Sequence, residues 1–588
     1  MIAILTDKPS VGKEIGRIIG ATKVRKGYVE GNGYMVTWTF GNMLSLAMPK
    51  DYGIPKLERD DFPFIPSEFE LTVRHTRTEN GWIPDINAVL QLKVIEKVFQ
   101  SCDTIIAATD ASRDGEMAFR YIYQYLKCTQ PCFRLWISSL TDESVRKGME
   151  NLKPDSFYDS LFLSADSRNK ADWILGINAS YAMCKATGLG NNSLGRVQTP
   201  VLAAICRRYR ERENHISSDS WPIYISLQKD GILFKMRRTK DLPDKETAAM
   251  FFQDCKLAHK AQITGITHSI KEILPPELFD LTQLQKEANI RYSLTVPEVY
   301  DITQSLYEKK LISYPRTSSR YLTEDVFDSI PTIMAHLLSW KLFPVSGKTA
   351  GMDVSTLNRR VISAEKANAH HAIIITGIRP GKLSEKEMQV YRLVAGRMLE
   401  AFMAPCRMET TSLEAVCAAQ NFRAKHTRII EPGWHDVFMR SDMIPQSGYY
   451  ANEIPELVKG DTMDICGCNM VHKKQLPVDP FTDAELVEYM EQNGLGTVSS
   501  RTNIICTLIS RKYIRYSGKH IIPTPKGMFT YETIRERKIA DATLTADWEK
   551  QLAELEGGTR TGQDFLDRVK VLAGEMTDDI FSTYTTKE

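Results

Sequence analysis

Tyr314 and Arg316 stand in the run Leu311-Ile312-Ser313-Tyr314-Pro315-Arg316-Thr317, where a phenol, a backbone-fixing proline and a permanent cation fall side by side. A phenol ionises near pH 10, so attack at neutral pH needs cations that stabilise both the phenolate and the charge growing on the group attacked. The planar guanidinium of Arg316 suits a phosphoryl group, whose oxygens it can meet in a bidentate fork. The run also fits a half-buried strand tyrosine ahead of a turn, and the segment alone leaves both readings open. Two acidic turns could supply a second kind of chemistry: Thr6-Asp7-Lys8-Pro9-Ser10, and Thr109-Asp110-Ala111-Ser112-Arg113-Asp114-Gly115-Glu116. Clustered carboxylates suit a hard cation such as Mg²⁺, which takes oxygen ligands and keeps several waters. Taken alone, the second turn also fits a solvated loop or a helix cap.

Both acidic turns follow short apolar runs, residues 1–5 and 104–108, that read as buried strands delivering polar groups at their C-terminal ends. Sites gather at such strand ends in open α/β sheets. A helix is expected over 117–125 after the second turn, and an amphipathic one over 294–310 ahead of Tyr314. Val11-Gly12-Lys13-Glu14 lacks the first glycine of a phosphate loop and carries Glu14 where the hydroxyl residue belongs, so no nucleotide hydrolysis is expected. The imidazoles of His370 and His371 titrate near neutrality and could serve a phosphate oxygen, or they could simply be a polar corner. Neither histidine has a cysteine at zinc-finger spacing, and the eleven cysteines are scattered without a tetracysteine array. No structural zinc is expected, and Cys184, Cys206 and Cys506, lying in apolar runs, are expected to be buried free thiols.

The order of motifs is more specific than any one of them. Tyr314-Pro315-Arg316-Thr317 followed by Ser318-Ser319-Arg320-Tyr321 resembles the active-site signature of type IA DNA topoisomerases. Leu278-Phe279-Asp280-Leu281-Thr282 and Leu284-Gln285-Lys286-Glu287-Ala288-Asn289 resemble words of the topoisomerase III branch of bacteria. So do Arg134-Leu135-Trp136-Ile137-Ser138-Ser139, Ser167-Arg168-Asn169-Lys170-Ala171-Asp172-Trp173, Gly195-Arg196-Val197-Gln198-Thr199-Pro200, Ala369-His370-His371 and Asn493-Gly494-Leu495-Gly496-Thr497 with Ser500-Arg501. Asp7-Lys8 paired with the second acidic turn resembles the Toprim domain of that family. The family's usual pattern has Glu before the lysine and Asp-x-Asp-x-Glu-Gly-Glu in the second turn. Here Asp7 and Asp114 are each one methylene shorter, Ser112 replaces a carboxylate by a poor Mg²⁺ ligand, and Asn42 and Ser318 stand where His and Asp are usual.

The resemblance implies a multidomain α/β plus α plus β fold, with a Toprim α/β domain, helical domains and a β-rich arch closing into a toroid. Its expected parts are a Toprim domain at 1–150, a helical DNA-binding domain from 151–215 and 476–588, an arch from 216–278 and 405–475, and a helical domain at 279–404 carrying Tyr314. It implies transient cleavage of single-stranded DNA through a 5′-phosphotyrosyl link with strand passage, independent of ATP, relaxing negative supercoils or separating linked molecules. The roles implied are catalysis by Tyr314, Arg316, Lys8, Asp7 and His370, metal binding by Asp7, Asp110, Asp114 and Glu116, and DNA binding by Arg168, Lys170, Arg196, Gln198 and Arg501. Mg²⁺ is the implied metal, with Mn²⁺ as a substitute. A net charge of only +2 means that nucleic acid must be held by local patches. The expected setting is a cytoplasmic, nucleoid-associated monomer off the membrane, with a single-stranded region of DNA as ligand and a helicase or single-strand binding protein as helper. The competing class is a paralogue with a weakened acidic cluster that chiefly binds single strands.

Overall fold

The structure, a computed structural model, describes all 588 residues except 80, 138–139, 189, 191, 344–352, 368–369, 439–452 and 586–588. Ser138, Ser139 and Ala369 of the motifs above lie outside the described residues.

Residues Ile2–Thr6, Tyr34–Trp38, Thr104–Ala108 and Cys132–Arg134 form the parallel centre of a seven-stranded sheet, with short antiparallel strands at its two edges. The continuous apolar character of Ile2–Thr6 follows from burial on both faces, as parallel sheets require. Register then fixes the chemistry, because Thr6 pairs with both Trp38 and Ala108. The two strands therefore end level, and the residues that follow, Asp7 and Asp110, emerge side by side.

The helix after the second acidic turn starts at Arg113, four residues earlier than expected, because the Ser112 hydroxyl caps it by accepting from the Gly115 N–H at 3.2 Å. Asp114 and Glu116 thus lie in the first helical turn rather than in a loop. Gly115 is required there: a Cβ at this position would sit 2.0 Å from the Asp110 carbonyl oxygen.

Six strands close into a barrel in the spatial order Ile223–Lys229, Ile232–Arg238, Gln420–Glu431, Cys406–Cys417, Lys260–Ile273 and Thr462–Met470. Alternate residues, among them Ile223, Ile225, Leu227, Leu413, Ala415, Phe422 and Ala424, fill its interior. One stretch expected to be β is instead the helix Lys245–Ala258, capped by Asp244 and burying Ala248 and Cys255 at helical spacing. Of the cysteines expected to be buried, Cys206 is, whereas Cys184 is half-buried and Cys506 exposed.

The helices Leu281–Tyr292, Val296–Glu308 and Glu385–Phe402, which in sequence fall between the barrel strands Lys260–Ile273 and Cys406–Cys417, pack against one another. Thr295 and Glu298 form a capping box at the head of Val296–Glu308. After that helix the chain turns through Lys310 at φ 61° and runs extended beside residues 373–376, with Ser313 N–H donating to the Ile374 carbonyl at 2.8 Å. This pairing brings His370 to Tyr314 across more than fifty residues of sequence. At the far end of the chain, Ala542–Glu556 and Gly562–Thr585 return to pack on the long helix Asp159–Thr187. No helix among the described residues is long and apolar enough to cross a membrane.

Candidate active site

Tyr314 is 4% exposed, lodged between an edge-on Tyr307 ring at 5.6 Å and the His370 ring at 4.5 Å. Arg316 reaches across to the sheet and donates to Asp110 at 2.5 Å, with its guanidinium over Tyr300 and a further contact to Gln304 at 3.2 Å. His370 presents Nε2 to the Ala111 carbonyl at 2.5 Å, the separation of a hydrogen bond in which Nε2–H donates, while its Nδ1 is buried with no hydrogen-bond partner. His371 faces elsewhere, towards the Ala372 carbonyl. Lys8 lies 3.6 Å from Glu308, and Lys310 pairs with Glu14 at 2.5 Å and Asp142 at 3.6 Å. Four ion pairs, Arg316–Asp110, Lys8–Glu308, Lys310–Glu14 and Lys310–Asp142, thus join the sheet domain to the segment carrying Tyr314.

Burial, then the Asp110 charge, raises the Tyr314 phenol well above its ordinary range, with Arg316 opposing. Burial and Asp110 likewise push Asp7 up to about 7. Burial lowers His370, so its imidazole is held neutral. A phosphate taking the place of Asp110 on Arg316 would set the guanidinium on the reacting group.

The four expected metal ligands are not gathered into one set, and among the described residues no three acidic, histidine or cysteine groups converge as a metal site. Glu116 departs most clearly from its expected role. It is fully buried and clamped by Arg120 at 2.9 Å and Arg134 at 3.2 Å, so here it anchors the acidic turn from below. Asp114 is ion-paired with Arg168. Asp7, raised by burial and then by the Asp110 charge, and Asp110, shared with Arg316, are the two carboxylates that lie together, and such a pair fits a divalent cation that also takes water and phosphate oxygens.

Of the expected nucleic-acid contacts, Arg168, Arg196 and Gln198 line one groove of about 430 Å³, together with Trp173, Arg511 and Glu549. Lys170 and Arg501 lie outside its walls. Every one of the five is engaged within the protein. Lys170 bonds Asp166 at 2.7 Å, Arg196 bonds Asp172 at 2.9 Å and Glu549 at 3.2 Å, Gln198 donates to the Ser193 carbonyl at 3.1 Å, and Arg501 donates to Thr282 at 2.8 Å.

Arg134, which the sequence offered only as part of a motif and without a role, is fully buried and donates to Thr109 at 2.9 Å and to the Asp110 carbonyl at 2.6 Å. A charged residue ending the strand Cys132–Arg134 was the available signal, since buried charges are kept only when paired. Trp136 was also passed over; it stacks on Tyr158.

Comparison with known proteins places these features. Residues 156–567 match the family described as DNA topoisomerase, and residues 2–140 match the Toprim domain. The chain is 31% identical to DNA topoisomerase 3 of Bacillus licheniformis, over 99% of this chain and 82% of that protein. It is 30% identical to DNA topoisomerase 3 of Bacillus subtilis over the same shares. Full-length topoisomerase I from Thermotoga maritima superposes with a TM-score of 0.73 at 20% identity, covering 98% of this chain and 90% of that one, and so shares the fold.

Proposed function

The chain belongs to the DNA topoisomerase family, and from that premise we propose that Tyr314 is the nucleophile of a type IA enzyme that breaks and reseals one strand of DNA without ATP. The observation that carries this reading is the convergence of Tyr314 and Arg316 with Asp7, Asp110 and His370, which come from four separate stretches of the chain. The Tyr314 oxygen attacks a backbone phosphorus as its phenolic proton passes to water, the bond to the 3′-oxygen breaks with that oxygen taking up a proton, and a 5′-phosphotyrosyl ester and a 3′-hydroxyl result. Arg316 and Lys8 stabilise the phosphoryl oxygens. Without metal, Asp7, pushed up to about 7 by burial and Asp110, can hand a proton to the leaving 3′-oxygen. His370 holds the Tyr314 ring against the acidic turn. A Mg²⁺ ion held by Asp7 and Asp110, with Mn²⁺ as substitute, would offset carboxylate charge beside the phosphate.

One phosphoester replaces another of similar energy, so strand passage is driven by torsion or linkage in the DNA. The groove with Arg168, Arg196 and Gln198 receives the single strand, whose phosphates replace Asp114, Asp172 and Glu549 as partners of the arginines. We assign the arch and the helical segment around Tyr314 to one moving part, and we place the enzyme as a monomer on nucleoid DNA, working beside a protein that exposes single strands. A purely DNA-binding role finds no supporting observation here.

The test is denaturation of the protein during reaction with an end-labelled single-stranded oligonucleotide. A covalent adduct mapping to Tyr314, and absent from Tyr314→Phe, is expected. An adduct on another residue, or strand passage by the Phe variant, would overturn the assignment.

A further inference from the structure

Trp136 follows the strand Cys132–Arg134, and its indole lies parallel to two other rings: Tyr158 at 4.9 Å and 8°, and His370 at 6.2 Å and 10°. Both separations fall in the offset-stacked range. His370 in turn meets Tyr314 at 4.5 Å, and the Arg134 guanidinium lies 5.3 Å from the indole centre. Tyr158, Trp136, His370 and Tyr314 therefore form one column that crosses from the sheet side to the segment bearing the nucleophile. The hydrogen bond from His370 Nε2–H to the Ala111 carbonyl fixes one edge of the imidazole but leaves it free to turn about that axis. A flat surface against its face removes that freedom, and Trp136 supplies the surface from the opposite side of the interface.

We propose that Trp136 is a positioning residue for strand resealing: when the interface closes, the His370 ring settles on the indole, and Tyr314 with its attached phosphate recovers its alignment through that contact. Tyr158 backs the indole from behind. The inference rests on Tyr314 being the nucleophile, and it assigns Trp136 no contact with substrate.

Trp136→Leu, Trp136→Phe and Tyr158→Leu are compared with wild type for the fraction of oligonucleotide trapped as covalent adduct, for the single-turnover rate of rejoining, and for kcat and KM of plasmid relaxation. Loss of one aromatic pair slows a step that depends on it by a few-fold to about tenfold. Trp136→Leu should slow rejoining and lower kcat by that much and raise the trapped fraction, with KM unchanged. Trp136→Phe should restore most of the loss, and Tyr158→Leu should move rejoining in the same direction by less. Wild-type rejoining in both Leu variants would overturn the proposal, as would equal impairment in Trp136→Leu and Trp136→Phe. Absence of any Tyr314 adduct in wild type would instead remove the nucleophile assignment on which it rests.

Discussion

Replacing Asp7 by Asn removes a carboxyl that the fold makes hard to ionise. Burial and the Asp110 charge raise its pKa from an ordinary 3.8 to about 7. The folded chain therefore holds this proton more tightly than the unfolded chain does. The resulting stability is fully present below about pH 4 and is lost as pH rises through about 7. Roughly three units at about 1.4 kcal/mol each set a ceiling of ~4 kcal/mol on that loss. The expected difference lies below that ceiling. An amide of the same shape cannot ionise, so Asp7→Asn should be the more stable protein at pH 8, with the gap narrowing towards pH 5. Whole-chain melting mixes several domains, so native-state hydrogen exchange of the Ile2–Thr6 amides under mild urea is the suitable assay. Mg²⁺ added at pH 8 should protect these amides in the parent and much less in the variant. Parallel protection curves for the two proteins between pH 5 and pH 8 would refute the argument that Asp7 is a charge-crowded buried acid.

Arg316→Ala should lower single-turnover cleavage by roughly 10²–10³-fold, the loss typical of removing one preorganised charge-stabilising donor, with Lys recovering part because it keeps the charge but not the fork. A loss below tenfold would reduce Arg316 to a structural partner of Asp110. Ser112→Asp preserves the helix cap, since Asp caps as well as Ser, and should lower the Mg²⁺ concentration needed for relaxation; Ser112→Ala should instead destabilise the helix start by about 1 kcal/mol with no gain in metal use. An unchanged Mg²⁺ requirement in the Asp variant would show that this position does not limit the metal site. Gly115→Ala forces a methyl group onto the Asp110 carbonyl and should abolish adduct formation while circular dichroism stays near that of the parent; an active Gly115→Ala protein would mean that the acidic turn tolerates displacement.

What could be read beforehand was whatever local pattern determines. Two apolar strands, each followed closely by an acid, marked Asp7 and Asp110, and the parallel register is why the two lie side by side. Tyr314, Arg316 and His370 were visible as motif residues. Their mutual contact depends on the pairing of Ser313 with Ile374, which no local pattern encodes. The burial of Glu116 was hidden for a similar reason. Arg120 is a visible partner one helical turn on, but Arg134 arrives from a neighbouring strand and excludes solvent from the carboxylate. Arg196 and Glu549 stand 353 residues apart and meet only because the last helices return to the long helix Asp159–Thr187. The helix Lys245–Ala258 was legible in principle, since Asp244 followed by Ala248, Phe251, Phe252 and Cys255 is a capped helical spacing inside a region dominated by alternation.

On the proposed opening, the four ion pairs joining the sheet domain to the Tyr314 segment must part each time that segment lifts. Partly solvated pairs are worth up to about 1 kcal/mol each, so together they set a barrier that thermal motion can cross without nucleotide hydrolysis. Dissolved salt screens such pairs and should speed the lifting. The same ions compete for the phosphates of the strand being held. Turnover is therefore expected to peak at an intermediate ionic strength, and neutralising Lys310 should move that optimum to lower salt.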